Sequence, residues 1–279
     1  VELSFDVFGA QNPSKPELAA TARVLSTLAE SKRLDLTSLE DVIVPVFNSL
    51  RSEPLEQLAW YFPKPVSDYR ALHALNASRL AMYFARETGM DDARVVHLGI
   101  AALLYDTGMW MAGLPNVLEA RSMNAEEMAR IEASSVGGAG LLSGVEGIDP
   151  LCARVAAEHH ERADGTGYPG KTRSDSHHPY SRLVQVIDSF LGMIEPRPFR
   201  KAISPAEAMQ RLAVQAHRGY FFAPAFRDWV RVMGMYPVGT FVTMNTGELA
   251  IVSKSGGQHI RRPIVQVLAD EYLDFRLRP

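Results

Sequence analysis

Two adjacent histidines and a carboxylate, His159-His160-Glu161, stand just ahead of Asp164-Gly165-Thr166-Gly167-Tyr168-Pro169. Imidazoles and carboxylates together suit transition metals such as zinc, iron and manganese. Gly165 and Gly167 allow a turn with positive φ that brings backbone N–H groups and a phenol close to a ligand, and Pro169 stiffens the exit. The apolar spacing predicts a helix over 149–160, on which neighbouring imidazoles diverge by about 100°. Such a pair serves two neighbouring metals, or one metal and one supporting contact, more readily than it chelates one ion. The same residues also read as a helix C-terminus, where histidines interact with the macrodipole, followed by a turn. Residue types alone leave both readings open.

The elements that must position these groups are mostly helices, by apolar spacing at three and four residues. Thr37 with Glu40 suggests a capping box ahead of Leu39, Val42, Ile43, Val46 and Phe47. A long helix is predicted over 68–87 with Gly89 as its C-cap, and a largely apolar, buried one over 91–105. Asn124 and Glu127 repeat the capping pattern before a helix reaching Leu142. Further helices are predicted over 180–194 and after Ser204-Pro205, with Glu207 closing the cap. The pattern changes at Tyr236-Pro237. Short β-branched runs over 240–244 and 248–253 flank Asn245-Thr246-Gly247, a hairpin signal, and 264–268 and 272–275 read as further strands. The stretch from Gly165 to His178 is the one long polar loop, a kind that is more often functional than decorative.

Composition narrows the class. The 279 residues are 47% hydrophobic and 22% charged, with a mean hydropathy of -0.07, values of a globular chain. The longest apolar run, Leu98 to Tyr105, is far shorter than the roughly 20 residues of a membrane span. No basic segment followed by an apolar one opens the chain, so no signal peptide is expected. The single cysteine, Cys152, fits a buried side chain in a reducing, cytoplasmic setting. A net charge of -3 without long single-sign runs argues against DNA as a partner. Of the eight histidines, His177-His178 read as solvated loop residues, His97 as a hydrogen-bonded core residue, and His217 and His259 as surface groups.

The full string from His159 to Pro169 resembles the HHE-xx-DG-x-GYP signature of HD-GYP domains, bacterial helical metallohydrolases that cleave cyclic di-GMP. Every signature position is present, and flanking segments agree over roughly 40–235. The resemblance implies a mainly α, HD-superfamily helical bundle with a small C-terminal β extension. The implied division is a helical lead-in over 1–60, the HD-GYP-like domain over 61–235 and a β appendage over 236–279. It also implies a divalent transition metal (Fe, Mn or Zn) and ligand roles for His73, Asp106, His159, His160 and Asp188. One ion would take His73, Asp106 and Asp188, the other Asp106, His159 and His160. Arg197 and Arg200 match basic positions that hold the substrate's phosphates, beside Tyr168, Gly165 and Gly167 of the glycine loop. Cyclic di-GMP is the implied ligand, and a signalling protein or a second copy of the chain are further expected partners.

The departures from that pattern lie at the ligands. Where the family reads His-Asp-x-Gly-Lys, this chain has Tyr105-Asp106-Thr107-Gly108-Met109, and a further histidine position is held by Ser134. Tyr69 replaces a glutamate one turn before His73, so a third metal is not expected. The family reaction uses two metals about 3.5–4 Å apart, and each would have lost one imidazole here. A phenol with a pKa near 10 must be deprotonated to ligate well, and Ser134 is a poorer ligand still for such metals. Loss of the lysine removes a cation that would stabilise developing negative charge. The expectation is a degenerate domain in which Asp106 bridges a depleted site, binding outlasts hydrolysis, and the arginines still grip phosphate. The alternatives are an active phosphodiesterase with an altered metal site and a protein-interaction scaffold that binds no nucleotide.

Overall fold

The structure, a computed structural model, describes residues 13–52, 68–111, 124–196, 201–257 and 259–269. Most of its helices form where the apolar spacing places them, and several caps follow from identifiable side chains. They are α1 Lys15–Ser31, α2 Leu36–Ser52, α3 Tyr69–Glu87, α4 Asp92–Leu104, α5 Thr107–Met111, α6 Ala125–Ser143 and α7 Pro150–Glu158, then α8 Pro179–Ile194, α9 Pro205–His217 and α10 Ala223–Met233. Asp68 caps α3 by accepting the Ala71 N–H, and Asn124 with Glu127 closes a reciprocal capping box on α6. The start of α2 differs from the Thr37 expectation. Asp35 accepts the Thr37 N–H at 3.1 Å and the Ser38 hydroxyl at 2.6 Å, because a carboxylate just ahead of the helix reaches these donors and also suits the dipole.

Helix α3 is the axis of the bundle, buried from Ala71 to Ala85, with α1, α2, α4 and α8 against it. A β-carbon at Gly99 would fall 2.1 Å from the Met82 Cε, so glycine lets α4 approach α3 closely. Ser78 uses that approach to donate to the Gly99 carbonyl at 2.8 Å. Leu75, Leu98, Val155, Ile187, Phe190 and Trp229 are fully buried in the common core, where each such side chain contributes about 1.5–3 kcal/mol of transfer free energy. Cys152 lies buried and free, its thiol pushed up to about 12 by burial, as an inert core cysteine should be.

After α10 the chain forms an antiparallel sheet of order β1-β2-β3, with β1 Phe241–Thr243, β2 Leu249–Lys254 and β3 Ile264–Ala269. The expected hairpin joins β1 to β2 with Phe241 opposite Ile251 and Thr243 opposite Leu249, Gly247 supplying φ +92° in the turn. The strand predicted over 272–275 lies outside the described residues. Among the described residues no helix is long and apolar enough to cross a membrane.

Candidate metal centre

The site forms where α4 and α7 end, where α3 begins, and along the middle of α8. Tyr105 is the C-cap of α4, with Asp106 next in the link to α5. Helix α7 stops at Glu158, two residues earlier than predicted, with His159 as its C-cap. The two rings nevertheless sit against each other. Their rings lie 3.9 Å apart between centroids. Ligand atoms of Asp106, His159 and His160 all fall within 4.8 Å of one another.

His159 is prepared as a ligand. It is buried, and its Nδ1 meets the Ala156 carbonyl at 2.9 Å, a contact that requires an N–H there. The Nε2 therefore carries a lone pair, and it is buried with no hydrogen-bond partner. Burial, reinforced by neighbouring His160, pushes the His159 pKa down to about 3 and keeps the ring neutral. A buried, bare imidazole nitrogen fits a divalent ion, and the carbonyl behind it is the usual orienting contact for a ligating histidine. His160 is likewise held below its ordinary range, chiefly by burial. Asp106 with the two imidazoles is a donor set suited to Fe, Mn or Zn.

His73 stands differently, although it is equally buried. Its Nδ1 is 2.6 Å from Glu195 Oε2, and its Nε2 is 2.7 Å from the Tyr105 oxygen and 3.0 Å from Asp188 Oδ1. The Tyr105 hydroxyl donates to the same Asp188 oxygen at 3.0 Å, so its own oxygen accepts from His73. Burial opposes charge on His73, but Glu195 and then Asp188 outweigh it and raise the pKa to about 10. Burial acts against ionisation of Asp188 too, yet His73 and the neighbouring imidazoles hold it well below the usual carboxylate range. Tyr105 is driven well above an ordinary phenol by burial and by the Asp188 charge, and it stays protonated. Behind them Asn76 donates to Glu195 Oε1 at 2.7 Å, occupying the second oxygen of that buried carboxylate.

The glycine loop closes over this site. Gly165 adopts φ +82° as expected, whereas Gly167 serves by its size: a β-carbon there would lie 2.4 Å from both the Arg162 nitrogen and the His160 carbonyl oxygen. The Tyr168 ring lies against His160, 4.6 Å between centroids and tilted by 36°. Glu161 is buried, and its carboxylate accepts the Gly170 and Thr172 N–H groups, which makes it the clamp of the loop. Gln185 on α8 donates to the carbonyls of Glu161 and Tyr220, fastening the loop to the bundle.

Met109 and Ser134, on α5 and α6, touch each other. The Ser134 hydroxyl lies 3.3 Å from the Met109 sulfur and donates to the Ile131 carbonyl at 2.7 Å. Gly108 and Gly138 make that contact close, since a β-carbon on Gly108 would sit 1.8 Å from the Ser134 carbonyl oxygen. Arg197 and Arg200 lie outside the described residues. His177 is not solvated but buried, with its Nε2 2.8 Å from Thr172, and half-buried His178 caps α8 by accepting the Tyr180 N–H. A histidine ahead of Pro179 can cap because its neutral ring offers a free nitrogen. His97 is exposed rather than in the core, being on the outer face of α4. Sequence reasoning missed Glu195, Asn76 and Gln185. One signal was present for Glu195, a carboxylate at the end of a helix, where the dipole disfavours it unless it has a partner.

A family model described as HD domain matches residues 51–221. The protein named Cyclic di-GMP phosphodiesterase PA4108, from Pseudomonas aeruginosa, is 28% identical over 251 residues, covering 89% of this chain and 60% of that protein. The 3'3'-cGAMP-specific phosphodiesterase 3 of Vibrio cholerae is 29% identical over 168 residues, 58% of this chain and 36% of that protein. The chain thus spans less than two thirds of either relative. Among solved structures, Bd1817, a HDG"Y"P protein from Bdellovibrio bacteriovorus, superposes with a TM-score of 0.61 at 20% identity, over 76% of this chain and 67% of the other. At that identity the likeness is one of fold.

Proposed function

This chain belongs to the HD domain family, and from that premise we propose that it is a degenerate HD-GYP-type cyclic di-GMP signalling domain, one that binds the cyclic dinucleotide with weak or no phosphodiester hydrolysis. The observation that carries the proposal is the Tyr105 hydroxyl, seated 2.7 Å from His73 Nε2 and 3.0 Å from Asp188. Asp106, His159 and His160 would hold a divalent ion, which when bound supplies Lewis-acid charge toward a phosphoryl oxygen. Met109 stands where the family has its lysine, so that position offers no ammonium to charge developing on the phosphate. Tyr168 and the Gly165–Gly167 turn face the site, and Arg197 and Arg200 would grip phosphates bidentately without a metal. Names of relatives support a cyclic dinucleotide as the ligand. In this reading 61–235 is the nucleotide-binding domain, 1–60 its helical lead-in and 236–279 a β appendage.

A second reading, an active phosphodiesterase with an altered metal site, is favoured by the retained Asp106, His159 and His160 cluster. Calorimetry with cyclic di-GMP, run beside a turnover assay on metal-loaded protein, separates the two. Saturable binding with turnover below about 1% of a median enzyme rate of roughly 10 per second is expected. Turnover at that median rate would establish the second reading instead, and absence of binding would remove both.

A further inference from the structure

The two sides of the site are built from the same residue types, and they differ in whether a nitrogen is left bare. On one side His159 Nε2 is buried without a partner. On the other, both nitrogens of His73 are engaged, Nδ1 by Glu195 at 2.6 Å and Nε2 by Tyr105 at 2.7 Å and Asp188 at 3.0 Å. We infer that this chain holds one divalent ion, at Asp106, His159 and His160, and that the Tyr105 hydroxyl takes the place of a second ion between His73 and Asp188.

The geometry argues this without reference to catalysis. A zinc–imidazole bond is about 2.0–2.1 Å long and consumes the nitrogen lone pair. At Nε2 of His73 that direction is filled by two oxygens, the Tyr105 hydroxyl at 2.7 Å and Asp188 Oδ1 at 3.0 Å. Tyr105 cannot swing aside cheaply. It is 1% exposed and its ring stands edge-on to His159, 4.7 Å between centroids. Glu195, itself 1% exposed, fixes His73 from behind, and Asn76 fixes Glu195. The plug is therefore held from the α4, α3 and α8 sides together. The inference rests on the HD-GYP-like reading, which is what makes His73 and Asp188 ligand positions at all.

Metal content decides it. The metal-free chain is loaded with excess Mn²⁺ or Zn²⁺, desalted and measured by plasma mass spectrometry, with circular dichroism to confirm that each variant is folded. The wild type should retain about one ion, His160→Ala should retain none, His73→Ala should keep its ion, and Tyr105→His should approach about two. Two ions or none in the wild type overturns the inference. So does a folded Tyr105→His chain that still holds only one, or an ion lost with His73→Ala but kept with His160→Ala. Should a variant fail to fold, the wild-type stoichiometry decides alone. A ferric-loaded sample adds a readout on Tyr105 itself: a visible phenolate-to-iron band that Tyr105→Phe abolishes would make the phenol a ligand and overturn the plug. Calorimetry with cyclic di-GMP on the same preparation keeps the two failures apart. Nucleotide binding with two ions sinks this inference alone, and one ion without nucleotide binding sinks the functional reading alone.

Discussion

His73 and His159 are buried imidazoles of one site, yet their surroundings drive them in opposite directions. The pKa of His159 is pushed down to about 3, first by burial and then by His160, while His73 is raised to about 10 because Glu195 and Asp188 overcome the same burial. The difference lies in what faces the second nitrogen. A neutral carbonyl behind His159 leaves the other nitrogen bare. A carboxylate behind His73, with a second carboxylate and a phenol ahead, uses both. Residue identity makes a histidine eligible as a ligand, but its partners decide whether a lone pair remains to be given.

The largest effect is expected from removing the support behind His73. Glu195 is fully buried and bonded through both oxygens, to His73 and to Asn76. Glu195→Ala strands both partners in the core and should cost about 3–5 kcal/mol in urea unfolding. Glu195→Gln keeps the shape and one acceptor, so its loss should be smaller, near 1–3 kcal/mol. Equal costs for the two would show that the charge pair, and not shape, holds that side together.

The opposite side should respond to metal instead. An ion bound only by the folded state stabilises it by about 2.7 kcal/mol when present at 100 times its Kd. That gain, read as a rise in Tm that a chelator reverses, is expected for the wild type and for His73→Ala. It should vanish in His159→Ala, whose Nε2 is the bare ligand atom. A metal-dependent rise that follows His73 and ignores His159 would reverse the comparison.

Much of the bundle was legible because its causes are local. The apolar spacing of α3 and α4, the Asp68 cap and the Asn124–Glu127 box are all contained within a few turns. The same holds for the hairpin at Gly247, which a two-strand pattern and a turn residue announce. The ligand cluster was legible in part, since Asp106 stands in one recognisable string and His159 and His160 in another, and the three do converge. What escaped is long-range. Glu195 meets His73 across 122 residues and Gln185 reaches Tyr220 across 35, and no spacing rule links such partners. The early end of α7 was missed for a related reason. The Tyr168 N–H donates to the His160 carbonyl and Gly167 packs on the same backbone, so the returning loop occupies the space that a further helical turn would need.

The smallest predicted effect is also the most discriminating. Tyr105→Phe removes one oxygen and leaves a ring that can keep its edge contact with His159. Two hydrogen bonds disappear, to His73 and to Asp188, but those two residues still meet at 3.0 Å. The loss in stability should therefore be about 1–2 kcal/mol, the net value of a buried hydrogen-bonded hydroxyl. Removing the plug adds no ligand, because phenylalanine has no donor atom, and His73 remains tied to Glu195 and Asp188. Metal content should stay where the wild type has it. If instead the Phe variant takes up a second ion, His73 and Asp188 suffice as a metal site once the oxygen is gone. The closed side would then owe its closure to the hydroxyl alone, and not to the carboxylate behind the imidazole.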